Sequence, residues 1–113
     1  MSISFRSSPD VIIQTADLPR ATRFYEEVLG LTVAHRSESL VGFDTGAFRL
    51  YVEQGAGHGP VFEFWVVDVA AAKAALLAAG CSVVDEDPSV PRCYLRDPQG
   101  LVFNIGLRPP LLA

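Results

Sequence analysis

The sequence predicts an α+β fold: two βαβββ modules forming a curved mixed sheet around a cavity, with the helices on the outside. Three observations carry this. Asp17 and Asp68 each stand between a β-branched apolar run and a helical pattern, and Ala21 and Ala72 follow them at the same offset. Gly30 and Gly80 stop the two helical patterns. Asp97-Pro98-Gln99-Gly100 then joins two strand-like runs with the chemistry of a type I turn, an Asp acceptor first, a fixed φ second and a glycine fourth. A repeat of this kind implies units that each leave one sheet face uncovered.

The first module spans about 10–54. Val11-Ile12-Ile13 reads as a strand ending at Thr15-Ala16. Asp17 is a helix N-cap, and Pro19 is tolerated in the first turn. The helix is expected over Leu18–Leu29, with Leu18, Ala21, Tyr25 and Val28 inward. Strands are expected at Leu31–His35, Leu40–Asp44 and Ala47–Glu53, with Thr45-Gly46 as a hairpin turn. Gln54–Pro60 is a glycine-rich connector. No Lys-Ser/Thr follows it, and a strand rather than a helix does, so it is not a phosphate loop.

The second module spans about 61–107. Val61–Val67 is an apolar strand. Val69–Ala79 is an alanine-rich helix with Val69, Ala72, Leu76 and Ala79 inward. Cys81–Val84 is a strand, Asp85–Pro91 a polar loop, and Arg92–Arg96 and Leu101–Leu107 the closing hairpin. Arg108-Pro109-Pro110 stops the last strand, because proline cannot extend a ladder.

The chain has 113 residues, the size of one domain, and 50% of them are hydrophobic, enough for a core without disulfides or metals. A net charge of -4 argues against a nucleic-acid partner, which would require a basic face. Met1–Asp10 holds one arginine and no apolar run, so it does not read as a signal peptide. Charged residues, among them Glu63, Asp68 and Lys73, interrupt every apolar run before it reaches the about 18 residues needed to span a bilayer. Cys81 and Cys93 are expected to be reduced thiols in apolar surroundings, as in a cytoplasmic protein.

Several motifs together resemble the vicinal oxygen chelate superfamily of glyoxalase I, extradiol dioxygenases and bleomycin resistance proteins. They are Asp17-Leu18, Phe24-Tyr25, Leu29-Gly30-Leu31, Val67-Asp68-Val69, Ala79-Gly80 and Arg96-Asp97-Pro98-Gln99-Gly100. Enzymes of the superfamily hold a divalent metal on the inner sheet face. Carried over, the ligand positions fall on Asp10, Arg49, Phe62 and Asn104. A guanidinium and a phenyl ring cannot ligate a cation, and asparagine is a weak donor, so no metal and no cofactor are expected there. His35 and His58 have no partner at ligand spacing. No Gly-x-Ser-x-Gly is present, and neither cysteine has an evident base.

Strand alternation in phase with those positions places Asp10, Ile12, Gln14, Arg49, Tyr51, Phe62, Phe64, Val66, Val102, Asn104 and either Arg92 or Tyr94 inward. Their neighbours Val11, Ile13, Trp65, Val67 and Phe103 are expected under the helices, and Glu63 falls unexplained in that buried phase. A ligand pocket with aromatic walls (Tyr51, Phe62, Phe64, Tyr94) and polar anchors (Asp10, Arg49, Asn104) follows. The resemblance to bleomycin-type proteins implies a homodimer that sequesters a small aromatic or cationic molecule without catalysis, with Pro9 compatible with exchange of the first strand. A lyase, isomerase or dioxygenase with a displaced metal, and an interaction module without ligand, are the alternatives.

Overall fold

A computed structural model describes residues 3–56, 59–90 and 92–109. Gly57 and His58 of the connector, Pro91 of the loop before the closing hairpin, and Pro110 after it lie outside the described residues, as do the first two residues of the N-terminal stretch. The chain divides into two compact units, Pro9–Val61 and Met1–Ser8 with Phe62–Ala113. Both are βαβββ modules, as the repeat predicts.

In the first unit, β1 (Arg6–Thr15, whose first residues belong to the other unit) leads to a helix, then β2 (Thr32–Arg36), β3 (Leu40–Asp44) and β4 (Arg49–Gln54). The sheet order is β2-β3-β4-β1, with β4 antiparallel to β3 and parallel to β1. The Asp17 carboxylate accepts from the Arg20 N–H at 3.1 Å, which satisfies one of the free donors of the first helical turn. The helix departs from its expected form. It is α-helical over Leu18–Arg23 (α1) and then passes through a π-helical turn, Phe24–Val28, closed by the Leu29 N–H on the Phe24 carbonyl at 3.2 Å. A π turn holds an extra residue, so the 3.6-residue spacing no longer applies beyond it. Leu18, Ala21 and Tyr25 do pack on Val41, Phe43 and Val52, but Val28 is rotated off the face and is 68% exposed.

In the second unit, β5 (Val61–Val66), α2 (Val69–Ala78), β6 (Ser82–Asp87), β7 (Arg92–Arg96) and β8 (Val102–Leu107) follow in order, with sheet order β5-β8-β7-β6. Asp68 caps α2 by accepting from the Ala71 N–H at 3.0 Å. Val69, Ala72 and Leu76 face the core of Val66, Cys93, Leu95 and Ile105, whereas Ala79 is the exposed cap. The expected loop at 85–91 is shorter, because β6 continues to Asp87 and pairs with β7 through Glu86↔Cys93 and Asp87↔Arg92. The second strands of both units carry an irregularity at matching places, Val33/His35 and Val83/Asp85. At the last turn the Asp97 carboxylate accepts from the N–H groups of Gln99 and Leu101, at 2.8 and 3.0 Å, and Gly100 takes a φ of 95° that an L side chain would resist.

Cys93 is buried in this core and Cys81 half-buried at its edge, both free thiols. Burial pushes the Cys93 thiol up from its ordinary value, with Glu86 acting in the same direction. The raised value favours the protonated thiol in the fold, so this contribution is intact below about pH 9 and declines at higher pH. Iodoacetamide at pH 8 is therefore expected to label Cys81 about tenfold or more faster than Cys93, as read by peptide mass spectrometry. Equal rates would contradict the buried placement.

Candidate functional site

Each helix covers one face of its own four-stranded sheet, and the opposite face carries the polar and aromatic side chains. In the first unit this face bears Asp10, Ile12 and Gln14 on β1 and Arg49, Tyr51 and Glu53 on β4, because Ile13, Leu50 and Val52 take the alternate positions against α1. The parallel register sets polar residues side by side. Arg49 Nε donates to Asp10 Oδ1 at 2.7 Å, and Gln14 Nε2 donates to Glu53 Oε1 at 2.8 Å. The Arg49 guanidinium also lies 6.0 Å from the centre of the Tyr51 ring, a cation–π contact. Tyr51 in turn lies across Gly42, its register partner on β3, where an added Cβ would come within 2.7 Å of the ring.

Gly42→Ala is accordingly expected to destabilise the protein by about 1–3 kcal/mol through overpacking. Adding Tyr51→Ala should restore most of that loss in a urea titration. If the double variant is no more stable than Gly42→Ala alone, the glycine is not there for the ring.

In the second unit the corresponding face is built by β5, β8 and β7. Leu95, Cys93, Phe103 and Ile105 turn to the helix, which leaves Arg92, Tyr94, Val102, Asn104 and Gly106 on the other side. Asn104 lies opposite Tyr94 on one side and Glu63 on the other. Its Nδ2 donates to Glu63 Oε2 at 2.7 Å, and Trp65 Nε1 donates to Glu63 Oε1 at 3.0 Å. The carboxylate thus has one neutral donor on each oxygen. Gly106 makes room for it, since a Cβ there would stand 3.2 Å from Glu63 Oε2. Arg92 stacks over Tyr94 at 5.2 Å. Asn104 is buried, and its Oδ1 is, among the described residues, a fully buried side-chain oxygen with no hydrogen-bond donor.

This geometry corrects the sequence reading of β5. Phe62, Phe64 and Val66 were expected on the same face as Asn104, and Trp65 under the helix. The reverse holds. Phe64 and Val66 pack on the α2 side, with the Phe64 ring edge-on to Phe103 at 5.7 Å, and Glu63 and Trp65 occupy the polar face. Phe64 lines an apolar hollow of about 210 Å³ with Phe5, Leu76 and Phe103, and Phe62, in the same phase, is 59% exposed. The carried-over ligand position six residues before Asp68 was therefore one residue out of phase. The residue on the face is a carboxylate, Glu63, and its place there accounts for a charge that alternation alone had put in the core. Asp10, Arg49, Tyr51, Tyr94 and Asn104 lie in the expected phase of their strands, and Arg92 shares that phase with Tyr94.

The residues present do not fit a divalent metal. Among the described residues no group of three or more His, Cys, Asp and Glu is placed to hold one. The Asp10 carboxylate is engaged by Arg49, and the Asn104 amide by Glu63. His35 is exposed on β2. Elsewhere, a hollow of about 540 Å³ beside α1 is lined by Thr22, Arg23, Glu26, Arg36 and Gln54, where Arg36 pairs with Glu26 at 3.4 Å. Gln54 has a structural task that the sequence did not announce. It accepts from the Leu18 N–H at 3.0 Å and donates to the Ala16 carbonyl at 2.7 Å, which ties the end of β4 to the start of α1.

Residues 10–106 match the family model described as a glyoxalase-like domain. The chain belongs to the glyoxalase-like domain family. No curated protein matches it. Among solved structures it is similar to an extradiol ring-cleaving dioxygenase from B. fuscum, at 19% identity and a TM-score of 0.69, over 96% of this chain and 34% of that one. It is also similar to homoprotocatechuate 2,3-dioxygenase from Arthrobacter globiformis (21%, TM-score 0.68, 96% of this chain and 37% of that one). A hypothetical protein from Bacillus halodurans matches over 97% of this chain and 99% of its own length, at 9% identity and a TM-score of 0.72. The glyoxalase-like chain thus spans about a third of the dioxygenases it resembles. At these identities the likeness is one of fold, and it supports the vicinal oxygen chelate architecture. No helix among the described residues is long and apolar enough to cross a membrane.

Proposed function

We propose that this glyoxalase-like protein binds a small aromatic or cationic molecule on the polar, aromatic faces of its sheets, without a resident divalent metal. It acts by sequestration rather than by chemistry, as a cytoplasmic homodimer. The observation that carries this reading is the buried Asn104, whose Oδ1 meets no donor although its Nδ2 is held by Glu63. A buried acceptor without a partner costs about 1–3 kcal/mol, and a ligand donor that displaces the side chains covering Oδ1 removes that cost. The same face presents the half-buried Trp65, a flat surface on which an aromatic ring can lie, whereas Tyr94 is buried and covered by Arg92. Among the described residues no three-ligand group of His, Cys, Asp and Glu stands ready for a metal, which favours binding over metal-assisted catalysis.

Trp65 is the single tryptophan of the chain and touches Glu63, so its fluorescence reports on the site. The test is a titration of the purified protein with a panel of aromatic metabolites and peptide antibiotics, following Trp65 emission and thermal shift, together with elemental analysis. A saturable change with at least one compound, and substoichiometric metal, is the expected result. A stoichiometric divalent metal, or no response to any compound, would sink the proposal. Size-exclusion chromatography with light scattering tests the dimer, and a monomer at micromolar concentration would remove that part alone.

A further inference from the structure

We infer that the ligand is a flat organic cation bearing several N–H donors, an amidinium or guanidinium joined to an aromatic group, and that Glu63 and Asn104 select it by charge. The inference rests on the binding role proposed above and specifies its chemistry. Glu63 is half-buried, and among the described residues its two oxygens meet the neutral donors Trp65 Nε1 and Asn104 Nδ2. Among the described residues no lysine, arginine or histidine forms an ion pair with it. A partly buried carboxylate without a counter-charge is an unfinished arrangement, and a cation is the partner that completes it.

The hydrogen-bond inventory points the same way. The Glu63 contact commits the Asn104 NH2 end, so Oδ1 can only accept. The cluster therefore offers the two acceptors Glu63 Oε1 and Oε2, with the unpaired Asn104 Oδ1 buried beside them, and Trp65 Nε1 and one N–H of the Asn104 amide are used within the cluster. An amidinium or guanidinium is donor-only and planar, and its fork matches a carboxylate in a bidentate fashion. A carboxylate or phosphate ligand would meet repulsion at the same atoms. Gly106 lets the Glu63 carboxylate lie close over β8, since a Cβ there would stand 3.2 Å from Glu63 Oε2. Arg92 shares this face as the β7 register partner of Gly106. Its guanidinium lies over the Tyr94 ring at 5.2 Å instead of against Glu63.

The test uses three probes of one shape and different charge, namely benzamidinium, neutral benzamide and benzoate, titrated into the full chain with Trp65 emission and calorimetry as readouts. Benzamidinium is expected to bind at least about tenfold tighter than benzamide, with benzoate weakest. Glu63→Gln should remove that preference while circular dichroism stays unchanged. The charge series on the unaltered protein decides the matter even if Glu63→Gln fails to fold. Benzamidinium binding no tighter than benzamide overturns the inference, whether or not Arg92→Gln then uncovers binding. If benzamide, benzoate or another neutral or anionic aromatic saturates the Trp65 signal and benzamidinium does not, the binding role stands and the cation falls. If nothing of any charge binds, both fall.

Discussion

Glu63→Leu is expected to destabilise the protein by about 2–4 kcal/mol, because it strips two donors of their acceptor at once. Asn104 Nδ2 would be left buried and unpaired, beside an Oδ1 that has no donor among the described residues, and Trp65 Nε1 would lose its bond to Glu63. The double variant Glu63→Leu/Asn104→Leu should recover at least half of the loss, since an apolar pair of similar shape leaves no buried amide to satisfy. Chemical denaturation of the two single variants and the double gives the coupling directly. Simple additivity of the two losses would show that the Glu63–Asn104 contact does not hold this face together.

Phe43→Ala is expected to cost about 3–5 kcal/mol, as for other large-to-small changes in a closed core. Phe43 is fully buried at the centre of the first unit's cluster, against Leu18, Val41 and Val52, and its ring lies 5.8 Å from that of Tyr25. Tyr25 comes from the π-helical turn, so this contact also reports on the extra residue in that helix. Tyr25→Leu should cost clearly less, about 1–2 kcal/mol, because the site is only partly buried and leucine retains apolar contact. A Phe43→Ala loss smaller than that of Tyr25→Leu in the same urea series would contradict the packing described.

The contrast between β1 and β5 shows what alternation can reveal. On β1 and β4 the polar residues Asp10, Gln14, Arg49 and Glu53 fall in one phase and Ile13, Leu50 and Val52 in the other, so the faces can be read directly. On β5, Val61-Phe62-Glu63-Phe64-Trp65-Val66 is apolar in both phases, and one charge is the only marker. The ligand spacing of the resembled superfamily puts Phe62 on the inner face, whereas the energetic cost of burying a lone carboxylate favours the opposite phase, with Glu63 there. The two Asp caps and the closing turn were legible because each depends on one local side chain, and so was membership of the superfamily. The π turn was not, since nothing in Phe24-Tyr25-Glu26-Glu27-Val28 departs from an ordinary helical pattern. Nor was the clamp of Gln54 on the start of α1, a contact between residues distant in sequence.

The parallel pairings have a consequence for how the chain acquires its structure. β1 cannot find its neighbour until β4 exists, and Asp10 and Arg49 are separated by 39 positions; Glu63 and Asn104 are separated by 41. The antiparallel runs β2-β3-β4 and β6-β7-β8 close over much shorter loops and lose less chain entropy in doing so. Formation of each module is thus expected to begin in its three-stranded meander and end with capture of its first strand. Both polar pairs straddle that final seam, so the surfaces with the most chemistry are the last to exist during synthesis and the first to be lost when a module opens.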